Sequence, residues 1–176
     1  MPKKPMSRHG RSARRLCSAL VIATPLVMAL YWFGSSGPSL GAAWISDPLF
    51  HAAISPAQRI AAAATSLIGL APALWALVRA RTLAILFEHQ AHFTTSGVAA
   101  AGALTRSLFW FSAGQSLTQT LVPLALTWGN ATGQRILAFS LDGSAVTALA
   151  LGVIVSLLAR ALDQGRVLVE DAALTV

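Results

Sequence analysis

Five polar residues inside strongly apolar stretches are the side chains of this chain best suited to chemistry. Ser112, Gln115, Ser116 and Gln119 follow one another at i, i+3, i+4 and i+7, a spacing that places them on one face of a helix. Asp142 stands in the next apolar stretch, at a depth close to that of Gln119. Because hydroxyl, amide and carboxylate groups are costly in hydrocarbon, we expect this polar membrane seam to point into a helix bundle.

The polar membrane seam has two interpretations. It could form the pathway of a small oligomeric transporter or channel subunit, with Asp142 as its ionisable group. It could instead hold helices together by hydrogen bonds, each worth ~0.6 to 2 kcal/mol. A single carboxylate without an evident cation partner makes an incomplete pathway, so the sequence favours the packing role. A stripe of small residues on the next helix also favours close packing: Ser144, Ala148, Gly152 and Ser156.

Catalytic and metal-binding groupings are scarce. Glu88, His89 and His92 form a cluster that resembles a metal site. The two histidines, three residues apart, can share a metal ion, but a third protein ligand at a suitable spacing is not evident. A solvated face beside the membrane is therefore the favoured interpretation. The single cysteine, Cys17, allows no intramolecular disulfide, and no phosphate-binding loop or nucleophile motif occurs. We therefore expect a protein that is not an enzyme and that holds no cofactor or metal.

The composition indicates a membrane protein. Hydrophobic residues make up 55% of the chain and charged residues 11%, whereas soluble domains contain about 25% charged residues. Four apolar runs, at about 16–33, 60–78, 104–126 and 136–159, are each long enough to cross a hydrocarbon layer of about 30 Å. The sequence therefore predicts an all-α, integral membrane four-helix bundle rather than a soluble one. A basic arm at 1–15 precedes it and an amphipathic tail at 160–176 follows it.

The first apolar run could also be the hydrophobic core of a signal peptide, because a basic segment precedes it. Its length is greater than is usual for such a core. The bulky residues Tyr31, Trp32 and Phe33 also close it, where a signal peptide would have small residues. A retained membrane helix is the favoured interpretation.

The distribution of basic residues predicts the orientation. If both termini are cytoplasmic, eleven of the 13 lysines and arginines lie on the cytoplasmic side, and only Arg59 and Arg135 lie outside. We therefore expect a multi-pass protein of the inner (plasma) membrane with both termini in the cytoplasm. The basic arm has no interleaved aromatic residues, so it favours contact with the lipid bilayer over nucleic acid.

The two segments that follow the second and fourth runs share a pattern. In each, an apolar and then an acidic residue are followed by four further residues and another apolar residue, as in Phe87-Glu88 to Phe93 and Leu162-Asp163 to Leu168. The pattern predicts a two-plus-two internal repeat, although no residue is identical between the segments. The candidate cytoplasmic recognition residues are Phe87, Phe93, Thr94, Leu168, Glu170, Asp171 and Leu174.

The C-terminal stretch 163–176 resembles the ending of a family of uncharacterised four-span bacterial membrane proteins, which close on an acidic pair followed by Leu-Thr-Val. The matching residues here are Glu170-Asp171 and Leu174-Thr175-Val176, and Phe93-Thr94 resembles a second element of that family. The chain departs from the family where a glycine usually precedes Phe-Thr and where Ser96-Gly97 replaces a polar Asn. Members are often encoded beside small helix-turn-helix regulators, so the resemblance implies a regulatory partnership without an established activity.

The function predicted from these features is that of a non-enzymatic membrane protein that acts through protein–protein contacts of its cytoplasmic segments, in a regulatory role. The alternative is the small transporter or channel subunit described above. The expected partners are the lipid bilayer and either a second copy of the chain or another protein.

Overall fold

The computed structural model describes residues 8–34, 54–89, 91, 93–129 and 143–174. They form four helices: α1 (Arg8–Gly34), α2 (Pro56–Glu88), α3 (Thr95–Thr127) and α4 (Gly143–Leu174). The prediction of an all-α chain is confirmed. Among the described residues, three stretches are long and apolar enough to cross a membrane, namely Gly10–Gly34, Pro56–Glu88 and Gly143–Leu168.

The helix α3 is not among those three, although the predicted run 104–126 lies within it. Its 33 residues span about 50 Å, which is ample length for a bilayer. Its composition is less apolar because Arg106, Gln115 and Gln119 interrupt it. These polar residues stand in the helix that packs against both α2 and α4, so much of its surface meets other helices.

The helices pack in chain order, α1 against α2, α2 against α3 and α3 against α4. Side chains near the start of α1 contact the end of α2, and Phe93, just before α3, contacts Gly165 near the end of α4. Both termini of the helical region therefore lie at one end of the bundle, the termini end. The opposite ends of the helices, at Gly34, Pro56, Thr127 and Gly143, form the far end.

Hydrogen-bonding caps fix where α2 and α3 begin. Ser55 and Gln58 form a reciprocal capping box, in which the Gln58 N–H donates to Ser55 Oγ at 3.2 Å and the Ser55 N–H donates to Gln58 Oε1 at 2.9 Å. Gln58 Nε2 also donates to the Leu126 carbonyl at 2.8 Å, which links the start of α2 to the end of α3. At the start of α3, Thr94 Oγ1 accepts the Gly97 N–H at 3.3 Å, as its hydroxyl predicts.

The helices extend beyond the predicted membrane spans. The second predicted span ends at 78 and the third begins at 104, whereas α2 continues to Glu88 and α3 begins at Thr95. The predicted tail at 160–176 continues α4 without a break as far as Leu174. The start of the fourth predicted span, residues 136–142, lies outside the described residues.

Two clusters of buried apolar side chains fill the helix interfaces. The cluster at the far end joins Trp32 of α1 to α2 and α3. The cluster towards the termini end joins α2 and α3 to Leu162 of α4. Their buried members are Trp32, Ala62, Val122 and Leu126 in the first, and Ala76, Leu83, Ala101, Leu104 and Leu162 in the second.

The outward faces of α1 and α4 are apolar as well. Large side chains such as Ile22, Leu26 and Leu30 on α1 and Ile154 and Leu157 on α4 are exposed. An exposed apolar surface this extensive is unfavourable in water and is typical of a surface that contacts lipid.

The backbones of α2 and α3 approach each other closely at Gly69 and Gly114, near the middle of both helices. A Cβ atom on Gly114 would lie 2.7 Å from the Ile68 carbonyl oxygen, and one on Gly69 would lie 2.8 Å from both Gln115 Oε1 and Thr118 Oγ1. Small residues permit such contacts between membrane helices, where close van der Waals packing drives association. The small-residue stripe predicted on α4 is packed less tightly, since a Cβ on Gly152 would meet Phe109 at an ordinary 3.5 Å.

We expect Gly114→Ala to destabilise the bundle by about 1–3 kcal/mol, because its methyl group would clash with backbone that cannot rotate away. Gly102→Ala on the same helix is the matched control, since its Cβ meets nothing within 4 Å. Unfolding of the two purified variants by SDS in mild detergent, followed by circular dichroism, measures the difference. Equal unfolding midpoints would contradict the close approach of α2 and α3.

Candidate functional site

The hydroxyl groups of the polar membrane seam are engaged in helix hydrogen bonds. Ser112 Oγ donates across the interface to the Ala145 carbonyl of α4 at 2.8 Å. Ser116 Oγ donates to the Ser112 carbonyl one turn earlier at 3.1 Å. The first of these is the interhelical bond that the packing interpretation requires.

The glutamines of the polar membrane seam lie in different surroundings from its serines. Gln115 Oε1 lies against Gly69, so this side chain belongs to the α2–α3 interface while Ser112 belongs to the α3–α4 interface. Gln119 is half-buried on the same helix. Asp142 lies outside the described residues, so its predicted proximity to Gln119 stays a prediction.

Thr118 is a polar residue that sequence reasoning missed. Its side chain is 2% exposed, and among the described residues its Oγ1 has no hydrogen-bond partner. It stands with Gln115 and Ser66 on the wall of a mainly apolar cavity of about 500 Å³ between α1, α2 and α3. Its position three residues after Gln115 could have suggested this role, but only the contact with Gly69 shows which helix it meets.

The structure brings the two predicted recognition segments together at the termini end. The ring of Phe93 packs directly on α4, since a Cβ on Gly165 would lie 2.7 Å from Phe93 Cε1. Phe87 is half-buried and packs against the cluster that contains Leu162. Residues from the α2–α3 connection and from the end of α4 therefore form one continuous surface.

The remaining recognition residues divide by exposure. Thr94 serves as the cap of α3. Phe93 is 45% exposed and Leu168 is 69% exposed, and we call the patch they share with Gly165 the Phe93–Leu168 surface. Asp171 is exposed further along α4. Glu170 and Leu174 are also part of α4, and their side chains lie outside the described part of the chain.

The burial of Glu88 contradicts one prediction made from the sequence. The sequence places it on a solvated face, but it is 2% exposed. Its Oε1 lies 3.7 Å from Arg11 Nε and its Oε2 lies 3.4 Å from Arg14 Nη1. The prediction was wrong because α1 begins at Arg8, before the apolar run, and the helical part of the basic arm covers the end of α2.

The surroundings of Glu88 explain why a buried carboxylate is tolerated there. As the last residue of α2 it stands at the negative end of the helix dipole, which disfavours a carboxylate. The two arginines offset this, and the first turn of α1 has no acidic residue of its own. Glu88 thus supplies, from α2, a negative charge near the positive end of α1.

The predicted repeat aligns Glu88 with Asp163, yet the two acids differ in environment. Asp163 is exposed and pairs within its own helix, with its Oδ1 3.1 Å from Arg166 Nη2. His89 is exposed beside Glu88, and His92 lies outside the described residues. In the described parts of the chain no three histidine, cysteine or acidic side chains are grouped so that they could hold a metal ion.

No family model, curated protein or solved structure matches this chain. The resemblance to four-span bacterial proteins thus stays a prediction based on the C-terminal motif and Phe93-Thr94. The structure itself defines the class: the described residues form an all-helical bundle, in which three helices are long and apolar enough to cross a membrane.

We expect Glu88→Gln to lower the free energy of unfolding by about 2 kcal/mol, because it leaves Arg11 and Arg14 without their buried counter-charge. The matched control is Asp163→Asn, which removes an exposed pair within one helix and should change stability by less than about 0.5 kcal/mol. SDS unfolding in mild detergent measures both variants. An equal effect of the two substitutions would contradict a structural role for Glu88.

Proposed function

We propose that this chain is a non-enzymatic four-span protein of a bacterial inner membrane, with both termini in the cytoplasm, that binds a partner protein through the Phe93–Leu168 surface. The observation that carries the proposal is the packing of Phe93 on Gly165. It joins two segments that are distant in sequence into one apolar patch at the termini end.

Membrane placement of all four helices is supported by their lengths and their packing order. Three helices have spanning length and composition. The fourth, α3, lies between two of them and has the same length as α2. A helix held in this position crosses the bilayer with its neighbours, and they cover much of its polar surface.

The orientation is supported by the charges on the helices. Among the described residues, Arg59 is the one basic residue in a far-end half of a helix. The others lie in the halves nearer the termini end. Positively charged residues are retained on the cytoplasmic side during insertion, so this imbalance favours a cytoplasmic termini end.

The recognition role is supported by exposure at the termini end. Leu168 is 69% exposed at the termini end of α4, where it is the last residue of the stretch that is long and apolar enough to cross a membrane. Phe93 and Leu168 offer apolar anchors, and Asp163, Arg166 and Asp171 supply charges nearby. An apolar centre with a polar rim is the usual anatomy of a protein–protein contact.

The transporter or channel interpretation has one supporting observation, the cavity of about 500 Å³ with the buried Thr118 hydroxyl. Gln115 of the polar membrane seam lines this cavity together with Thr118, and Asp142 is the ionisable group that the sequence predicts for such a pathway. Flux of a panel of cations and small solutes into reconstituted vesicles tests it. Thr118→Val and Asp142→Asn should each reduce such a flux severalfold if the cavity conducts.

The orientation is tested by cysteine labelling in a Cys17→Ser background. Leu168→Cys and Gly143→Cys place single thiols at exposed positions near opposite ends of α4. A membrane-impermeant maleimide should label Gly143→Cys in intact cells and Leu168→Cys only after the inner membrane is permeabilised. The reverse pattern would contradict the proposed orientation.

Partner binding is tested by a photo-reactive amino acid at residue 168 in living cells. We expect one dominant adduct of defined mass, which Phe93→Ala reduces at least threefold because it removes the neighbouring anchor. The same photo-reactive residue at position 154, exposed in the middle of α4, is the control and should yield no such adduct. An adduct of twice the chain mass would identify a second copy, and the absence of any adduct at 168 would contradict the proposal.

A further inference from the structure

A second cavity, of about 450 Å³, lies between α2 and α3 and is lined by Trp75, Arg79, Arg106 and Trp110, with Pro72 and Ala103. Arg79 stands ~14 Å along the axis from the Glu88 end of α2, and Arg106 stands ~16 Å from the Thr95 end of α3. The two guanidinium groups therefore stem from nearly the same depth, towards the termini end.

The two tryptophans repeat this symmetry. Trp75 precedes Arg79 by one turn, and Trp110 follows Arg106 by one turn. Because α2 and α3 are antiparallel, both tryptophans stem from positions nearer the middle of the bundle than the arginines. Each helix thus carries a tryptophan one turn nearer the hydrocarbon centre than its arginine.

The depth of the cavity matches a membrane interface. A helix of 33 residues is about 50 Å long and the hydrocarbon layer about 30 Å thick, so a bilayer centred on α2 and α3 leaves roughly 10 Å of helix beyond each side. Arg79 and Arg106 would stem from a few ångströms inside the hydrocarbon boundary. Long arginine side chains reach the phosphate layer from such positions, and tryptophan favours the same region.

Among the described residues, no acidic group balances the positive charge of the cavity. None of the residues that line it is acidic. In the part of the chain that the structure describes, neither Arg79 nor Arg106 forms a salt bridge. Arg79 stacks on the neutral Trp75 ring, with Cζ 4.9 Å from the ring centroid, which orients the guanidinium without neutralising it.

We propose that this cavity binds the phosphate group of an anionic glycerophospholipid in the leaflet at the termini end. Arg79 and Arg106 donate hydrogen bonds to the phosphate oxygens, which suit the planar guanidinium group. Trp75 and Trp110 cover the glycerol and the first acyl carbons. Two unpaired positive charges favour a headgroup with net negative charge over a zwitterionic one, whose ammonium group they would repel.

A lipid, rather than a soluble anion, is indicated by the exposure of the aromatic walls. Trp75 is 58% exposed and Trp110 is 70% exposed, so the mouth of the cavity opens on the surface that faces the bilayer. The phosphates available at that surface are those of lipid headgroups. The inference rests on the membrane placement in the proposed function, but it requires neither the partner protein nor the cytoplasmic orientation.

The test is native mass spectrometry of the delipidated full chain in mild detergent, titrated with phosphatidylglycerol. We expect Arg79→Gln and Arg106→Gln each to weaken the apparent affinity about five- to tenfold, as the loss of one charge-assisted contact does. Arg81→Gln is the matched control, because Arg81 is exposed two residues from Arg79 and does not line the cavity. The affinity of the Arg81→Gln variant for phosphatidylglycerol should stay within about twofold of that of the unaltered chain.

Two further titrations identify the source of the phosphate. Phosphatidylcholine should bind several times more weakly than phosphatidylglycerol, and millimolar inorganic phosphate should not displace the lipid. Equal weakening by all three arginine substitutions would show general attraction to basic residues and overturn the site. Displacement by inorganic phosphate, or no retention of phosphatidylglycerol at all, would also overturn it. Because the measurement is made in detergent, it is independent of the labelling and crosslinking results.

Discussion

The close approach of α2 and α3 at Gly69 and Gly114 is the constraint on which the rest of this bundle depends. Backbone contact near the middle of two long helices fixes their relative height, so the residues towards both ends must match. At the far end Gln58 reaches the Leu126 carbonyl, and towards the termini end Arg79 and Arg106 come level. The outer helices then add to this central pair, α1 on α2 and α4 on α3.

The central position of α3 also explains why three of the four helices, and not α3, are apolar enough to be identified as membrane spans from hydropathy. A helix with neighbours on two sides can carry hydroxyl and amide groups, because they meet other helices instead of lipid. Ser112 uses its hydroxyl on α4, while Gln115 and Thr118 face the glycine contact with α2. The polar membrane seam that the sequence presents as one face is therefore divided between two interfaces.

The helices themselves could be predicted from the sequence, because apolar runs and capping residues such as Thr94 are local signals. Their lengths and the burial of Glu88 could not. The sequence predicts that Glu88 is a solvated residue beside the membrane. It is buried because α1 begins at Arg8 and brings Arg11 and Arg14 against it. The contact of Phe93 with Gly165 could not be predicted from the sequence either, since periodicity shows which residues share a face but not which helix that face contacts.

The arginines near the termini end illustrate the same limit. Counting them predicts an orientation, and such a count treats them all alike. The structure separates them: Arg11 and Arg14 surround the buried Glu88, and Arg166 pairs with Asp163 in its own helix. Arg79 and Arg106 instead line a cavity without acidic residues, beside two exposed tryptophans. Charges that the protein neutralises hold helices together, whereas charges that it leaves unbalanced at an interface attract an anion from outside.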